Sequence, residues 1–274
     1  MQPHFEMASL SRQNGRELMP RYKLLIEYDG GALSGWQLQD DQQTVQGVLE
    51  SAIEKLHGQR CLVYGAGRTD AGVHALGQVA HVDLPRVWDP FVLRNAINGN
   101  VRPHRVSVVE AEVVSDDFHA RFGATERRYL YRILNRRAPP ALDHGKVWYV
   151  PVDLDVDAMH EAAQHLVGTH DFSTFRAASC QAQSPVKTLD VLNVSRYGEE
   201  IEIEARARSF LHHQVRSMVG SLKQVGDGKW TVRDMKRALE AKDREACGAV
   251  APSAGLYLVG VSYEPLSEGH QQSL

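Results

Sequence analysis

Asp70 and Arg68, separated by one threonine within Gly65-Ala66-Gly67-Arg68-Thr69-Asp70-Ala71-Gly72-Val73-His74, are the residues whose types and spacing best suit chemistry. Three glycines fall within eight residues, between an alternating apolar run at Cys61 and Val63 and another at Val79 and Val82. Glycine permits positive φ and lets a ligand approach the main chain, so the stretch reads as a tight, exposed loop between two strands. A carboxylate displayed at such a tip, with a guanidinium two residues before it, is a candidate nucleophile or general base. Thr-Asp is equally a turn-forming pair, because both side chains hydrogen-bond to nearby backbone, and spacing alone leaves both readings open. Phosphate cradling is disfavoured. The dinucleotide fingerprint needs glycine where Asp70 stands, and the Gly-Lys-Ser/Thr ending of a P-loop is absent.

The elements that must position this loop are legible on both sides of it. Tyr22 to Tyr28 alternates as a strand does, and Asp29-Gly30-Gly31 closes it with turn chemistry. Val45, Val48, Leu49, Ala52, Ile53 and Leu56 follow a helical period, with Thr44 as cap and Gly58 as stop. Asp89-Pro90 marks a second helix start, and Arg105 to Val113 reads as a strand. The second half repeats the plan. Arg127 to Leu134 is strand-like, and Val156 to Val167 is a helix stopped by Gly168. Val186 to Val194 and Ile201 to Ala207 form a hairpin around Tyr197-Gly198. A helix through Leu211 to Leu222, another through Val232 to Leu239, and a last strand at Leu256 to Tyr263 complete it. Each half therefore approximates strand, helix, two strands, helix, strand, the split βαβ or ferredoxin-like (RRM-like) plan.

This reading predicts an α+β protein with two antiparallel sheets, an N-terminal unit over 21–115 and a C-terminal unit over 116–266. Residues 1–20 are expected to form a disordered leader and 267–274 a tail. Clefts between packed units are favoured ligand sites, and Asp70 lies on a loop of the first half.

The chain's 274 residues suffice for two such units, and 43% hydrophobic with 24% charged residues is the balance of a globular protein. Without a bilayer-length apolar run or a secretion signal, the expected compartment is the cytoplasm, with no membrane partner. Three widely spaced cysteines and thirteen scattered histidines suggest neither a disulfide framework nor a metal. His212 and His213, the one adjacent histidine pair, are expected to point apart on a helix. The net charge of −3 argues mildly against a nucleic-acid partner. Clustering counts for more than the sum, and Arg121, Arg127, Arg128, Arg132, Arg136 and Arg137 crowd one segment while Arg206, Arg208 and Arg216 crowd another.

Gly67 to His74, Gly-Arg-Thr-Asp-Ala-Gly-Val-His, resembles the active-site motif of the tRNA pseudouridine synthase A family, in which the aspartate is catalytic. Phe118-His119-Ala120-Arg121-Phe122 with Arg127-Arg128-Tyr129 is similar to the family's second motif. His170 to Phe175, Phe210 to Arg216 and Gly255 to Leu258 resemble further blocks, although Gln214 stands where the family has methionine. The likeness spans about residues 21 to 263.

The resemblance implies an isomerase that converts uridine to pseudouridine at positions 38, 39 and 40 of the anticodon arm of tRNA, working as a homodimer without a cofactor. It implies Asp70 as the catalytic residue. Positive charge develops on the ribose as the N1 to C1′ bond breaks, and an ionised carboxylate stabilises or traps it. Arg216 matches the arginine that pairs with the aspartate, and Tyr129 the active-site tyrosine that stacks on the uracil and assists at C5. Leu256 matches the apolar residue under the base. Arg68 would fill the gap left by the everted nucleotide or bind a phosphate. Two rivals have other chemistry: a non-catalytic binder of two RRM-like units, which lacks the RRM signature, and a nucleoside or sugar hydrolase using Asp70.

Overall fold

The computed structural model describes residues 19–263 of the 274. In chain order it contains β1 (Arg21–Tyr28), α1 (Val45–His57), β2 (Val63–Gly65), β3 (His74–Asp83), α2 (Pro90–Asn100), β4 (Val106–Val114) and β5 (Ala124–Leu134). There follow β6 (Trp148–Tyr149), α3 (Val156–Gln164), β7 (Gly168–Asp171), β8 (Val186–Tyr197), β9 (Glu200–Ala207), α4 (Gln214–Gly226), α5 (Val232–Ala241) and β10 (Leu256–Tyr263). The expected leader and tail fall on or run into residues outside those described.

Local signals hold where they are strongest. The Thr44 hydroxyl accepts from Gly47 N–H and Gly58 closes α1 in the left-handed region, while Asp89 caps α2 through Val92 N–H. Both ends use the groups that a helix leaves unsatisfied. α3 departs from expectation. It ends at Gln164, and Gly168, instead of stopping a helix, opens β7 against β8.

The α+β class stands, but the two expected sheets are one. Ten strands form a continuous sheet in the order β4-β1-β3-β10-β5-β9-β8-β7, with β2 beside β3 and β6 beside β5. β10 makes the join. It runs antiparallel to β5, with Leu258 opposite Tyr129, and parallel to the start of β3, with Tyr257 opposite His74. A strand that serves two neighbours removes an unpaired edge from each half. On the same edge of β3 that receives β10, β2 pairs only with its far end, Val63 opposite Val82. The glycine-rich loop occupies the space between them.

One face of the sheet carries the helices and the core. Tyr22, Leu24 and Ile26 of β1, Tyr131 and Ile133 of β5, and Ile201 and Ile203 of β9 are fully buried. Among the described residues no helix is long and apolar enough to cross a membrane.

On the other face, the segment 115–123 that links β4 to β5 packs where β3 and β10 part. His81 of β3 accepts the Ala120 N–H at Nδ1 (3.2 Å). Burial, with Arg21 and His119 nearby, pushes His81 down from its ordinary 6.5 to about 4. Between those values the unfolded chain binds a proton that the folded protein does not, so stability falls as pH is lowered from 6.5 toward 4. This one group contributes at most about 1.4 kcal/mol per pH unit to the slope. Urea unfolding at stepped pH is expected to show this decline, and His81→Asn to flatten it.

Candidate active site

The loop that carries Asp70 is held from three sides. Thr69 is clamped at both ends of its residue: its hydroxyl meets the buried Tyr28 hydroxyl at 2.7 Å, and its carbonyl accepts Trp36 N–H at 3.0 Å. Gln78 of β3 donates to Gly67 O at 2.8 Å. Two glycines are required by close approach. A Cβ on Gly35 (φ +86°) would lie 2.6 Å from Thr69 O, and one on Gly72 (φ +78°) 2.4 Å from Ser253 Oγ. Asp70 does form a turn, its carbonyl accepting Val73 N–H at 3.1 Å, but the turn uses only its backbone. The carboxylate is left for other partners.

Those partners come from the start of α4. Arg216 donates from Nη1 to Asp70 Oδ2 at 2.9 Å, while its Nε donates to Ala251 O at 2.9 Å. Ala251 N–H returns a bond to Arg216 O at 3.1 Å, so the arginine is fixed by the segment before β10 as well as by its helix. Asp70 and Arg216 stand 146 residues apart in the chain and form a partly buried ion pair. Geometry of this kind is charge-assisted and orients both groups.

His212 and His213 do not point apart. Their Nε2 atoms lie 3.2 and 3.3 Å from Asp70 Oδ1 and Oδ2, and their rings are 4.1 Å apart. The reason is that neither belongs to the helix proper. His213 is the cap residue of α4 in the left-handed region (φ 63°), which turns the chain back so that both imidazoles face the aspartate. Burial holds the His213 imidazole below its ordinary value, favouring the neutral ring. Asp70, His212 and His213 offer ligand atoms within 4.8 Å of one another, a spacing a small divalent ion can bridge. The Arg216 guanidinium already covers one carboxylate oxygen, so the group acts as a clamp on the aspartate.

Tyr129 projects from β5 on the same face, its ring edge-on to Phe210 at 5.2 Å. Burial, reinforced by Tyr28 and the Asp70 carboxylate, raises its phenol far above the ordinary value. The hydroxyl is therefore protonated at neutral pH, and it takes no hydrogen-bond partner among the described residues. Leu256 is buried at the first position of β10, opposite Tyr131, so Leu258 rather than Leu256 directly faces Tyr129. Arg68 is exposed, with no hydrogen bond to the described residues. Asp70 and Arg216 thus pair, Tyr129 lies within reach of the Asp70 charge, Leu256 lies two pairs along the sheet from Tyr129, and Arg68 is exposed two residues before Asp70.

Arg127 is a contributor that the spacing of residues did not single out. It is buried without a carboxylate, and burial lowers its pKa. Its guanidinium donates instead to four carbonyls: Ala124 (3.2 Å), Arg208 (2.5 Å), Ala66 (2.8 Å) and Arg121 (2.6 Å). One side chain thereby ties the Asp70 loop, the 115–123 linker and the end of β9 that leads to Phe210 and Arg216. A concavity of about 490 Å³ on the exposed sheet face is lined by Arg128, Tyr129, Asn193, Glu202 and Glu204, with none of the Asp70 cluster beyond Tyr129.

A family profile described as tRNA pseudouridine synthase matches residues 24–123 and 162–264. The chain is 63% identical over 245 residues to tRNA pseudouridine synthase A of Paramagnetospirillum magneticum, covering 89% of this chain and 96% of that one. It is 62% identical over 246 residues to the protein of the same name from Parvibaculum lavamentivorans, covering 90% and 100%. For that of Caulobacter vibrioides the identity is 59% over 245 residues, covering 89% and 99%.

Proposed function

The chain belongs to the tRNA pseudouridine synthase family and is an isomerase, and from that premise we propose that it converts uridine to pseudouridine at positions 38, 39 and 40 of the tRNA anticodon stem-loop. It acts in the cytoplasm as a homodimer. Asp70 is the catalytic residue. The observation that carries this reading is the carboxylate clamped by Arg216 at 2.9 Å and flanked by two imidazoles, on a loop braced by backbone contacts.

The chemistry follows from that arrangement. The N1 to C1′ bond of a uridine lifted out of its stack breaks, and the positive charge that builds on the ribose meets the Asp70 carboxylate. The uracil turns, C5 joins C1′, one proton leaves C5 and one ends on N1, so nothing is oxidised or lost. Arg216 holds the carboxylate in its attacking orientation, a positioning function. Tyr129 offers its ring to the base and a protonated phenol near C5, Leu256 supplies an apolar floor, and Arg68 takes the gap or a phosphate at the rim. In this reading the ferredoxin-like units 21–115 and 116–266 bring Asp70 from one side and Tyr129 and Arg216 from the other.

Unmodified tRNA incubated with the protein, digested and analysed should contain pseudouridine at those positions. Free uracil would mark a hydrolase, and unchanged uridine a binder. Tyr129→Phe keeps the ring and removes the hydroxyl. Its conversion rate is expected to fall on the order of 10²-fold, with tRNA affinity nearly unchanged. A rate equal to the parent's in single-turnover assays would take the hydroxyl out of the mechanism.

A further inference from the structure

The linker between β4 and β5 displays aromatic surface beside the catalytic loop. Phe122 is 73% exposed and Tyr64 46% exposed, and what sets them apart from isolated surface rings is that they are linked in one contiguous aromatic patch. They are joined by His119. Its ring centroid lies 4.5 Å from that of Phe122 and 6.3 Å from that of Tyr64, while Tyr64 stacks on His81 at 5.0 Å. The Arg121 guanidinium sits 5.7 Å from the Phe122 ring centre. Arg68 of the neighbouring loop is exposed, as is Arg208, whose carbonyl shares the Arg127 guanidinium with that of Arg121. The exposed acids of the linker, Asp116 and Asp117, lie at its other end, where Arg21 holds the Asp116 carbonyl at 2.6 Å.

The surface is built, not draped. Arg21 also donates to Phe118 O (2.8 Å), Tyr263 donates to Ala120 O (2.7 Å), and His81 accepts Ala120 N–H (3.2 Å). His119 Nδ1 accepts both Arg121 N–H (3.1 Å) and Phe122 N–H (3.3 Å), fixing the turn that presents Phe122. The Arg127 Nη2 that holds Arg121 O at 2.6 Å also holds Ala66 O at 2.8 Å, four residues before Asp70. Four residues span at most about 14 Å, so the brace shared with the linker stands no further than that from Asp70.

We propose that Phe122, His119 and Tyr64 form a stacking platform for unpaired bases of the RNA substrate next to the nucleotide held at Asp70, with Arg121 and Arg68 meeting the adjoining phosphates. Rings with a free face and neighbouring guanidiniums are the equipment that single-stranded RNA binders use, and stacking tolerates any base. A rigid platform spares the ordering cost that a mobile loop would bring. The inference rests on the isomerase reading above and adds to it the part of the RNA that is gripped outside the reacting uridine.

The test measures direct tRNA binding in an Asp70→Asn background, where turnover cannot interfere. Phe122→Ala is expected to raise Kd about tenfold or more, Tyr64→Ala by less, and Phe122→Tyr to restore most of the loss. Arg121→Gln is expected to reduce the salt slope of log K by about 1. Phe91→Ala on α2, a ring that is 62% exposed with an arginine beside it, serves as the control and is expected to bind as the parent does. Parent-like affinity in Phe122→Ala, or a loss that Phe122→Tyr shares in full, overturns the proposal. So does a change of sedimentation behaviour in Phe122→Ala without RNA, which would assign the surface to a second copy of the chain. In each of those cases the otherwise unaltered protein would still form pseudouridine, whereas failure of the isomerase reading would show as no product at all.

Discussion

Asp70→Asn is expected to abolish pseudouridine formation, lowering the single-turnover rate by at least about 10⁴-fold, while tRNA binding survives. Asparagine has nearly the same shape, and the turn at this position uses the Asp70 carbonyl, which the substitution leaves in place. The braces on Thr69 and Gly67 are likewise untouched, so the loop should keep its course. What disappears is the negative charge, and with it the only carboxylate in the cluster able to meet a positive ribose. Arg216 would then stand beside two imidazoles without its counter-ion. Affinity for the phosphate backbone should therefore hold or rise slightly, not fall. Gel-shift titration and product analysis on one preparation separate the two effects. Substantial turnover in the variant would exclude Asp70 as the group that meets C1′.

How much of this was legible beforehand depended on the range of the interaction. Thr44, Gly58 and Asp89 act on backbone groups within three or four residues, and each helix end lies where its cap predicts. The pairing of β10 with both β3 and β5 joins residues far apart in the chain, and alternation along a strand says which faces match but not which neighbour it takes. Two sheets were the simpler reading for that reason. Gly168 misled because glycine serves a helix end and a strand start equally well. Asp70 stands out by its glycine-rich loop and is read as catalytic through family likeness, whereas the pairing with Arg216 rests on likeness alone, because 146 residues separate two side chains that meet at 2.9 Å. His212 and His213 were missed through a helix boundary placed a few residues early. Once α4 starts at Gln214, two residues just ahead of it belong to the turn that faces Asp70. Arg127 is marked in the sequence only as one of a run of arginines and part of a motif; its buried role carries no local signal, since its four acceptors are carbonyls and any residue type supplies those.

Arg127→Met is expected to damage stability and activity together, and the reason lies in what the guanidinium satisfies. Methionine fills comparable space and removes the cost of burying a charge, which by itself would stabilise the fold. It also leaves the carbonyls of Ala66, Ala124, Arg121 and Arg208 without the donors they now have. Each buried acceptor left unpaired costs about 1–3 kcal/mol, and water entering from the partly exposed side repays some of this. A net loss of roughly 3 kcal/mol, or a Tm lower by about 6–12 °C for a chain of this size, is the expected balance. Activity should fall further than stability explains, because Ala66 leads into the Asp70 loop and Arg208 into the segment bearing Arg216. An aspartate displaced by an ångström loses its aim on the ribose, a fault worth about 10²-fold. Arg127→Lys discriminates between the two contributions. It keeps the charge but cannot reach four acceptors in fixed directions, so it should recover part of the Tm and little of the rate. A lysine variant with the full rate would mean that charge alone matters at 127. A methionine variant with unchanged Tm would mean that the four carbonyls are served as well by water.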